Sequence, residues 1–157
     1  FLFFSPSAPT SSGWIWGVCP VFLLPTGVET RGAEKWGIGP TAVALKQQSG
    51  FTYGALANHI WSFAGEADRD DVNASFLQPF LSYSLPSATT FFVNSESTYD
   101  WRENQWTVPI NFGAKHLVPI GGQPVQFGLS ARYWAEAPEN GPDGWGARFE
   151  VTFLFPR

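Results

Sequence analysis

The sequence predicts an all-β fold: an antiparallel transmembrane β-barrel of about eight full strands and a partial N-terminal one, or the C-terminal part of a larger barrel. Strand-length stretches recur along the chain, and the connections between them alternate between two chemical kinds. Tryptophans lie at the stretch ends. Barrels of the outer-membrane type have short turns at one end, longer polar loops at the other, and aromatic girdles between.

The composition predicts a single domain, residues 1–157, with an unusually large apolar surface. Hydrophobic residues make up 44% and aromatic residues 17%, while charged residues reach only 14%, against about 25% in soluble domains. No run of about 18 apolar residues occurs, so no transmembrane helix is predicted. The net charge of −4 argues against a nucleic-acid partner.

Metal-ligating and redox residues are sparse, so we predict no metal and no other cofactor. Cys19 is the single cysteine, and the two histidines have no ligand spacing. The acidic run at Asp68, Asp70 and Asp71 lacks the glycine and distal glutamate of a calcium-binding loop. The chain has no methionine and opens on FLFFSP, from which we expect a fragment without its upstream sequence.

The predicted strands each have about the 9 to 11 residues that a tilted strand needs to cross a bilayer. They are 14–24, 36–46, 51–63, 73–84, 90–98, 106–117, 125–133 and 145–155, with a partial strand at 1–4. Four prolines within them, Pro20, Pro40, Pro79 and Pro109, exclude helices. Because proline donates no ladder hydrogen bond, we expect a bulge or irregular pairing at each.

The connections predict two chemically different ends. The short, uncharged ones are 5–13, 47–50, 85–89 and 121–124, and the charged ones are 28–35, 65–72, 99–105 and 134–144. In an outer-membrane barrel the short turns are periplasmic. We therefore expect the charged loops to emerge together on the cell surface.

Alternation along the last strands predicts a polar belt on the lumen wall. Phe149, Val151 and Phe153 share one strand face, as do Phe127 and Leu129 on the strand before. The belt consists of Glu96, Asn111, Arg132, Arg148 and Glu150. We expect Arg132 and Arg148 to share Glu150 or Glu96, directly or through Asn111 or water; separately solvated lumen charges are the alternative. The earlier stretches are apolar on both faces and leave their inward side open.

The tryptophans predict aromatic girdles at the two membrane interfaces, because Trp and Tyr prefer the level of the lipid headgroups. The girdle residues are Trp14, Trp16, Trp36, Trp61, Trp101, Trp106, Trp134 and Trp145. Chance placement beside the loops of a soluble sandwich is the alternative.

Several motifs resemble a known family. They are GWIWGVCPVFLLPTG, KWGIGPTAVALKQ, YGALANHIWSFAG, VNASFLQPFLSY, STYDWRENQWTVPINF and RYWAEAPENGPDGWGARFEVTFLFPR. They look like the C-terminal portion of the outer-membrane transporter family labelled "MetA-pathway of phenol degradation". The resemblance implies a β-barrel in the outer membrane of a Gram-negative bacterium and passive passage of small, aromatic or hydrophobic, solutes.

The last strand is similar to the signal that the barrel-assembly machinery recognises. The resemblance therefore implies three partners: this machinery, the lipid bilayer and a small-molecule solute. Gly146, Phe149, Val151 and Phe155 match that signal, while Trp145 stands where a polar residue is usual.

Two other function classes stay open at this stage. A soluble lipocalin-like barrel that binds a small hydrophobic ligand would turn Phe127 and Leu129 inward and Arg132 to water. An outer-membrane hydrolase is less favoured, and we predict no enzyme: His59 and Ser62 are three apart and so on opposite strand faces, and no G-x-S-x-G motif occurs. The sequence does not fix the oligomeric state.

Overall fold

The protein is all-β in the residues that the computed structural model describes, 3–26 and 33–155, as predicted. The strands are β1 (Trp14–Leu23), β2 (Lys35–Gln48), β3 (Phe51–Gly65), β4 (Asn73–Ser84), β5 (Thr89–Ser95), β6 (Ser97–Asp100), β7 (Gln105–Ile120), β8 (Gln123–Glu136) and β9 (Trp145–Phe153). Predictions for residues 1–2, 27–32 and 156–157 lie outside these ranges. No helix in the described ranges is long and apolar enough to span a membrane.

The strands form one antiparallel sheet in the order β1-β2-β3-β4-β5-β7-β8-β9, and β6 pairs with β4 and β7. The prediction of a single fifth strand is wrong, because the chain leaves the ladder at Glu96, between β5 and β6. Pro109 lies opposite this break and offers no N–H; its carbonyl instead accepts a hydrogen bond from Ser95 Oγ at 2.7 Å.

Only some of the prolines disturb the pairing as predicted. A register shift lies between Val108 and Pro109, and the β2–β3 pairing is interrupted around Pro40. Pro20 and Pro79 keep a regular register, so the prediction is wrong for them. Pro20 lies on an edge strand, and Pro79 falls between the parts of β4 that pair with β5 and β6. At neither proline does a neighbouring strand on the unpaired side need a backbone N–H donor.

Two of the short connections are two-residue hairpin turns. Gly121 and Gly122 alone link β7 to β8, with φ of 56° and 83°. Ser49 and Gly50 link β2 to β3 in the same way, with φ of 50° and 84°. Positive φ at both central residues is the mark of a type I′ turn, whose twist matches that of the flanking strands.

The sheet is open in the described residues, since β1 and β9 are its two ends and do not pair with each other. Beyond the edge of β1, Phe4 forms a single antiparallel bridge with Val18. The structure therefore shows an open antiparallel sheet whose strands follow one another nearly in chain order.

The sheet has two unlike faces, which the register connects across all strands. The apolar face carries Trp16, Leu81, Phe112 and Phe149, and the polar face carries Asn94, Asn111, Arg132 and Arg148. In β1 and most of β2 this face carries uncharged side chains, of which Cys19 and Thr41 are buried. This settles the face that the sequence left open, since the neighbouring Val18 and Ile38 are exposed on the apolar face.

Candidate functional site

The apolar face exposes large side chains along its whole extent. Leu129 is 65% exposed and Phe149 67%, although both lie in the middle of strands. Others on this face are Trp16, Phe22, Ile38, Phe63, Leu77, Leu81, Phe91, Val93, Ile110, Phe112, Val151 and Phe153. A contiguous exposed apolar surface of this size marks contact with a membrane or another macromolecule.

Aromatic clusters lie at both ends of the apolar face. At the end of the short turns, the rings of Trp14 and Tyr53 are 5.8 Å apart and those of Phe51 and Tyr83 4.5 Å apart. At the charged end, Tyr99 contacts Trp101 and Trp106, each at 4.8 Å, His59 contacts Trp61 at 4.1 Å, and Tyr133 contacts Trp145 at 4.9 Å. Trp16 and Trp36 are exposed on the same face.

Trp134 does not join this arrangement, so its placement in a girdle is wrong. It lies two residues from Arg132 on the polar face, where the Arg132 guanidinium is 5.4 Å from its ring centroid. Side chains alternate between the two faces along β8, so Trp134 lies on the same face as Arg132 and Ser130, which are two and four residues before it.

The charged connections meet at one end of the sheet. Asp71, which precedes β4, forms two ion pairs: one with Lys35 Nζ, 3.2 Å from Asp71 Oδ1, and one with Arg102 Nη1, 3.5 Å from Asp71 Oδ2. Ser62 Oγ also donates to Asp71 at 3.3 Å, and Arg69 pairs with Glu34 at 2.7 Å. The start of β2 and the two following charged connections are thereby tied together.

Asp71 makes the stability of this end depend on pH. The hydrogen bond and charge of Lys35 hold the pKa of Asp71 below its usual value of 3.8. The stabilisation is therefore full above that value and disappears as the pH falls through the lower, folded-state pKa. We expect Asp71→Asn to lower the unfolding midpoint at pH 7 and to have progressively less effect below pH ~4.

Asp70→Asn is the matched control, since Asp70 has no ion pair or hydrogen bond within the described ranges. Equal effects of the two substitutions at pH 7 would contradict a specific role for Asp71.

Polar side chains from three predicted belt positions meet on the opposite side of the sheet. Arg132 Nη2 lies 2.9 Å from Glu96 Oε2, and Arg132 Nε donates to Asn111 Oδ1 at 2.5 Å. Asn111 in turn donates to Asn94 Oδ1 at 2.8 Å. Direct register pairs, Asn94 with Asn111 and Asn111 with Arg132, position this row.

The other two belt residues are arranged differently from the expectation. Glu150 pairs with Lys115 at 2.9 Å. Arg148 lies opposite Ser130 and has no carboxylate within 4 Å in the described ranges. The belt predicted from the sequence omitted Lys115, Asn94, Ser130 and Trp134. Two-residue spacing was a sufficient signal for each: Asn94 is two residues from Glu96, Lys115 has the parity of Asn111, and Ser130 and Trp134 have that of Arg132.

The Arg132–Glu96 contact predicts a measurable coupling energy. The two side chains are 28% and 39% exposed, so we expect a coupling of about 1 kcal/mol, within the range for residues in contact. A double-mutant cycle with Arg132→Gln and Glu96→Gln, followed by unfolding, measures it. Lys46→Gln combined with Glu96→Gln should be additive, because Lys46 lies at the other end of the sheet. A coupling near zero would favour separately solvated charges.

The candidate hydrolase pair is not assembled. Ser62 contacts Asp71, whereas His59 Nδ1 lies 2.7 Å from Ser75 Oγ on the apolar face. Trp101 Nε1 also donates to Ser75 Oγ at 2.8 Å, and His59 Nε2 has no hydrogen-bond partner among the residues that the structure describes. The described residues hold no group of three or more potential metal ligands.

The residues that match the assembly signal lie on or beside the unpaired edge strand. Phe149 and Val151 are exposed on the apolar face, and Phe155 lies past the end of β9. Gly146 has room for a side chain, since an added Cβ would meet only Arg132 Cβ at 3.9 Å. The sheet itself therefore does not require glycine there.

Comparisons of the chain with protein-family models, curated proteins and solved structures found no match. The resemblance of its motifs to the outer-membrane transporter family stays a prediction.

Proposed function

We propose that this chain forms the wall, or part of the wall, of a transmembrane β-barrel in the outer membrane of a Gram-negative bacterium. One observation carries the proposal: the apolar side chains of the sheet are exposed on one face, and the strand charges of β5 to β9 lie mainly on the other. Lipid is the solvent that suits this apolar face. In water, each exposed Phe or Leu would forgo about 1.5–3 kcal/mol of burial.

The aromatic clusters support the same proposal. Tyr53 and Trp61 are eight residues apart on β3, which is roughly 26 Å along the strand at about 3.3 Å per residue. At the tilt of about 40° that barrel strands have, this corresponds to roughly 20 Å across the bilayer. The apolar band of outer-membrane barrels is about 25 Å tall and is flanked by aromatic girdles on both sides. A soluble lipocalin-like barrel gives no reason for apolar exposure between two such clusters.

The function that we propose for this barrel is porin-like: passive passage of small, aromatic or hydrophobic, solutes, with no enzymatic activity. The motifs that resemble the transporter family support it, and so does an apolar cavity of about 580 Å³ on the polar face, lined in part by Leu23, Leu56, Ile60 and Phe76. The lipid bilayer and the barrel-assembly machinery are the proposed partners.

Insertion and passage are tested separately. Chain refolded with lipid should resist extraction by carbonate, and liposomes that contain it should admit small solutes faster than empty liposomes. A chain that stays monodisperse in buffer without detergent would contradict the membrane proposal. A chain that inserts but admits no solute would contradict only the passage.

The proposed orientation puts the charged connections outside the cell. A cysteine-reactive, membrane-impermeant label should modify Asp70→Cys in intact cells, in a Cys19→Ser background, and should leave Gly121→Cys unmodified until the outer membrane is opened. These positions lie in connections at opposite ends of the strands. The reverse labelling pattern would invert the topology.

A further inference from the structure

The polar face holds a second cavity, of about 330 Å³, over the strands from β5 to β9. Its charged lining consists of Lys115, Arg132, Arg148, Glu96 and Glu150. Three cations against two carboxylates leave one positive charge in excess. The cavity therefore differs in chemistry from the apolar cavity beside Leu56 and Phe76 on the same face.

Two of the three cations already have partners. The Arg132 guanidinium donates hydrogen bonds to Glu96 and Asn111, and Lys115 forms an ion pair with Glu150. Arg148 is the exception: within the described ranges its side chain has no hydrogen bond and no carboxylate within 4 Å. Arg148 is thus the cation of this lining that has no close ion pair in the described ranges.

The residue opposite Arg148 adds a second unused polar group. Ser130 pairs with Arg148 in the β8–β9 register, and both line the cavity. The Ser130 hydroxyl has no hydrogen-bond partner within the described ranges. A guanidinium and a hydroxyl on adjacent strands match the two oxygens of a carboxylate, which arginine binds with two parallel hydrogen bonds.

Flat apolar surfaces lie around this pair of polar groups. The ring of Trp134 lies against Arg132, and Lys115 Nζ is 5.4 Å from the centroid of Phe92. Both rings line the cavity. A cation lies over one face of each ring, so a ligand with an aromatic body would pack against the ring edges or the other faces, while a bare inorganic anion gains nothing from them.

We propose that this cavity binds small aromatic monocarboxylates, with Arg148 and Ser130 holding the carboxylate and Trp134 and Phe92 flanking the ring. One net positive charge matches a monoanion, whereas a dianion would leave an uncompensated charge in the wall. The inference rests on the proposed function only in taking the polar face as the wall of a solute path, and it names the class of solute that the wall prefers.

Binding is measured on the full chain refolded in detergent micelles, by isothermal titration with benzoate and with its neutral analogue benzyl alcohol. We expect benzoate to bind at least about tenfold more tightly, the ratio that a charge-assisted hydrogen bond provides. Arg148→Gln should abolish this preference, and Arg148→Lys should retain part of it, because the charge remains without the planar fork. Arg102→Gln, which removes a cation from the charged end, should leave it unchanged.

Equal binding of benzoate and benzyl alcohol by the original chain would overturn the inference, and this comparison does not depend on the folding of any variant. An equal loss in Arg148→Gln and Arg102→Gln would overturn it as well. Liposome flux separates it from the proposed function. Selective binding without flux refutes only the passage, and flux without preference for benzoate refutes only the carboxylate site.

Discussion

Leu129→Arg is expected to destabilise the lipid-embedded protein by about 2–4 kcal/mol, while Ser130→Arg costs little. The two residues are neighbours on β8, and their side chains lie on opposite faces of the sheet. A charge at Leu129 would enter the hydrocarbon of the bilayer, whereas a charge at Ser130 would stay among polar groups. Unfolding by urea in lipid vesicles measures the difference.

The same substitution separates a Leu129 side chain that faces lipid from one that faces water. Leu129 is 65% exposed, so in water Leu129→Arg would change the stability by at most about 0.5 kcal/mol, as for other surface sites. Comparable losses for Leu129→Arg and Ser130→Arg would contradict the assignment of the two faces. Phe149→Arg provides a second test at a register neighbour of Leu129 on the same face.

Gly113→Val is expected to cost about 3 kcal/mol or more, through overpacking together with lost ladder hydrogen bonds. A Cβ at Gly113 would lie 2.3 Å from the carbonyl oxygen of Leu129 and 2.6 Å from Ser130 Cβ. The carbonyl belongs to the paired strand β8, so relief of this clash requires β7 and β8 to move apart. The midpoint of unfolding and the strand signal in circular dichroism measure the loss.

Gly146→Ala is the matched control on the same face of the sheet. An added Cβ there comes no nearer than 3.9 Å to any group outside its chain neighbours. We expect the stability to stay the same or to rise by up to about 1 kcal/mol, because alanine reduces the freedom of the unfolded chain. A loss at Gly146 as large as that at Gly113 would show that close backbone approach is not the cause.

Much of the sheet was predictable because its signals are local. Two-residue alternation assigned Phe149 and Arg148 to opposite faces, and the short, uncharged connections at 47–50 and 121–124 located two hairpin turns. The break at Glu96 was missed because it depends on a proline in the next strand of the sheet, which the sequence places 13 positions away. The bulge predicted at Pro79 is absent because, on the side away from β3, Pro79 faces the gap between β5 and β6, where no ladder hydrogen bond is needed.

The candidate site divides in the same way. Two-residue alternation along each strand determines which residues share the polar face. It places Lys115, Ser130 and Trp134 there, although the predicted belt did not include them. Parity alone leaves pairings uncertain, because slips of two residues keep the face and change every partner. Only the register decided that Arg132 contacts Glu96 and that Lys115 pairs with Glu150. It also decided that Arg148 has no carboxylate within 4 Å in the part of the chain that the structure describes.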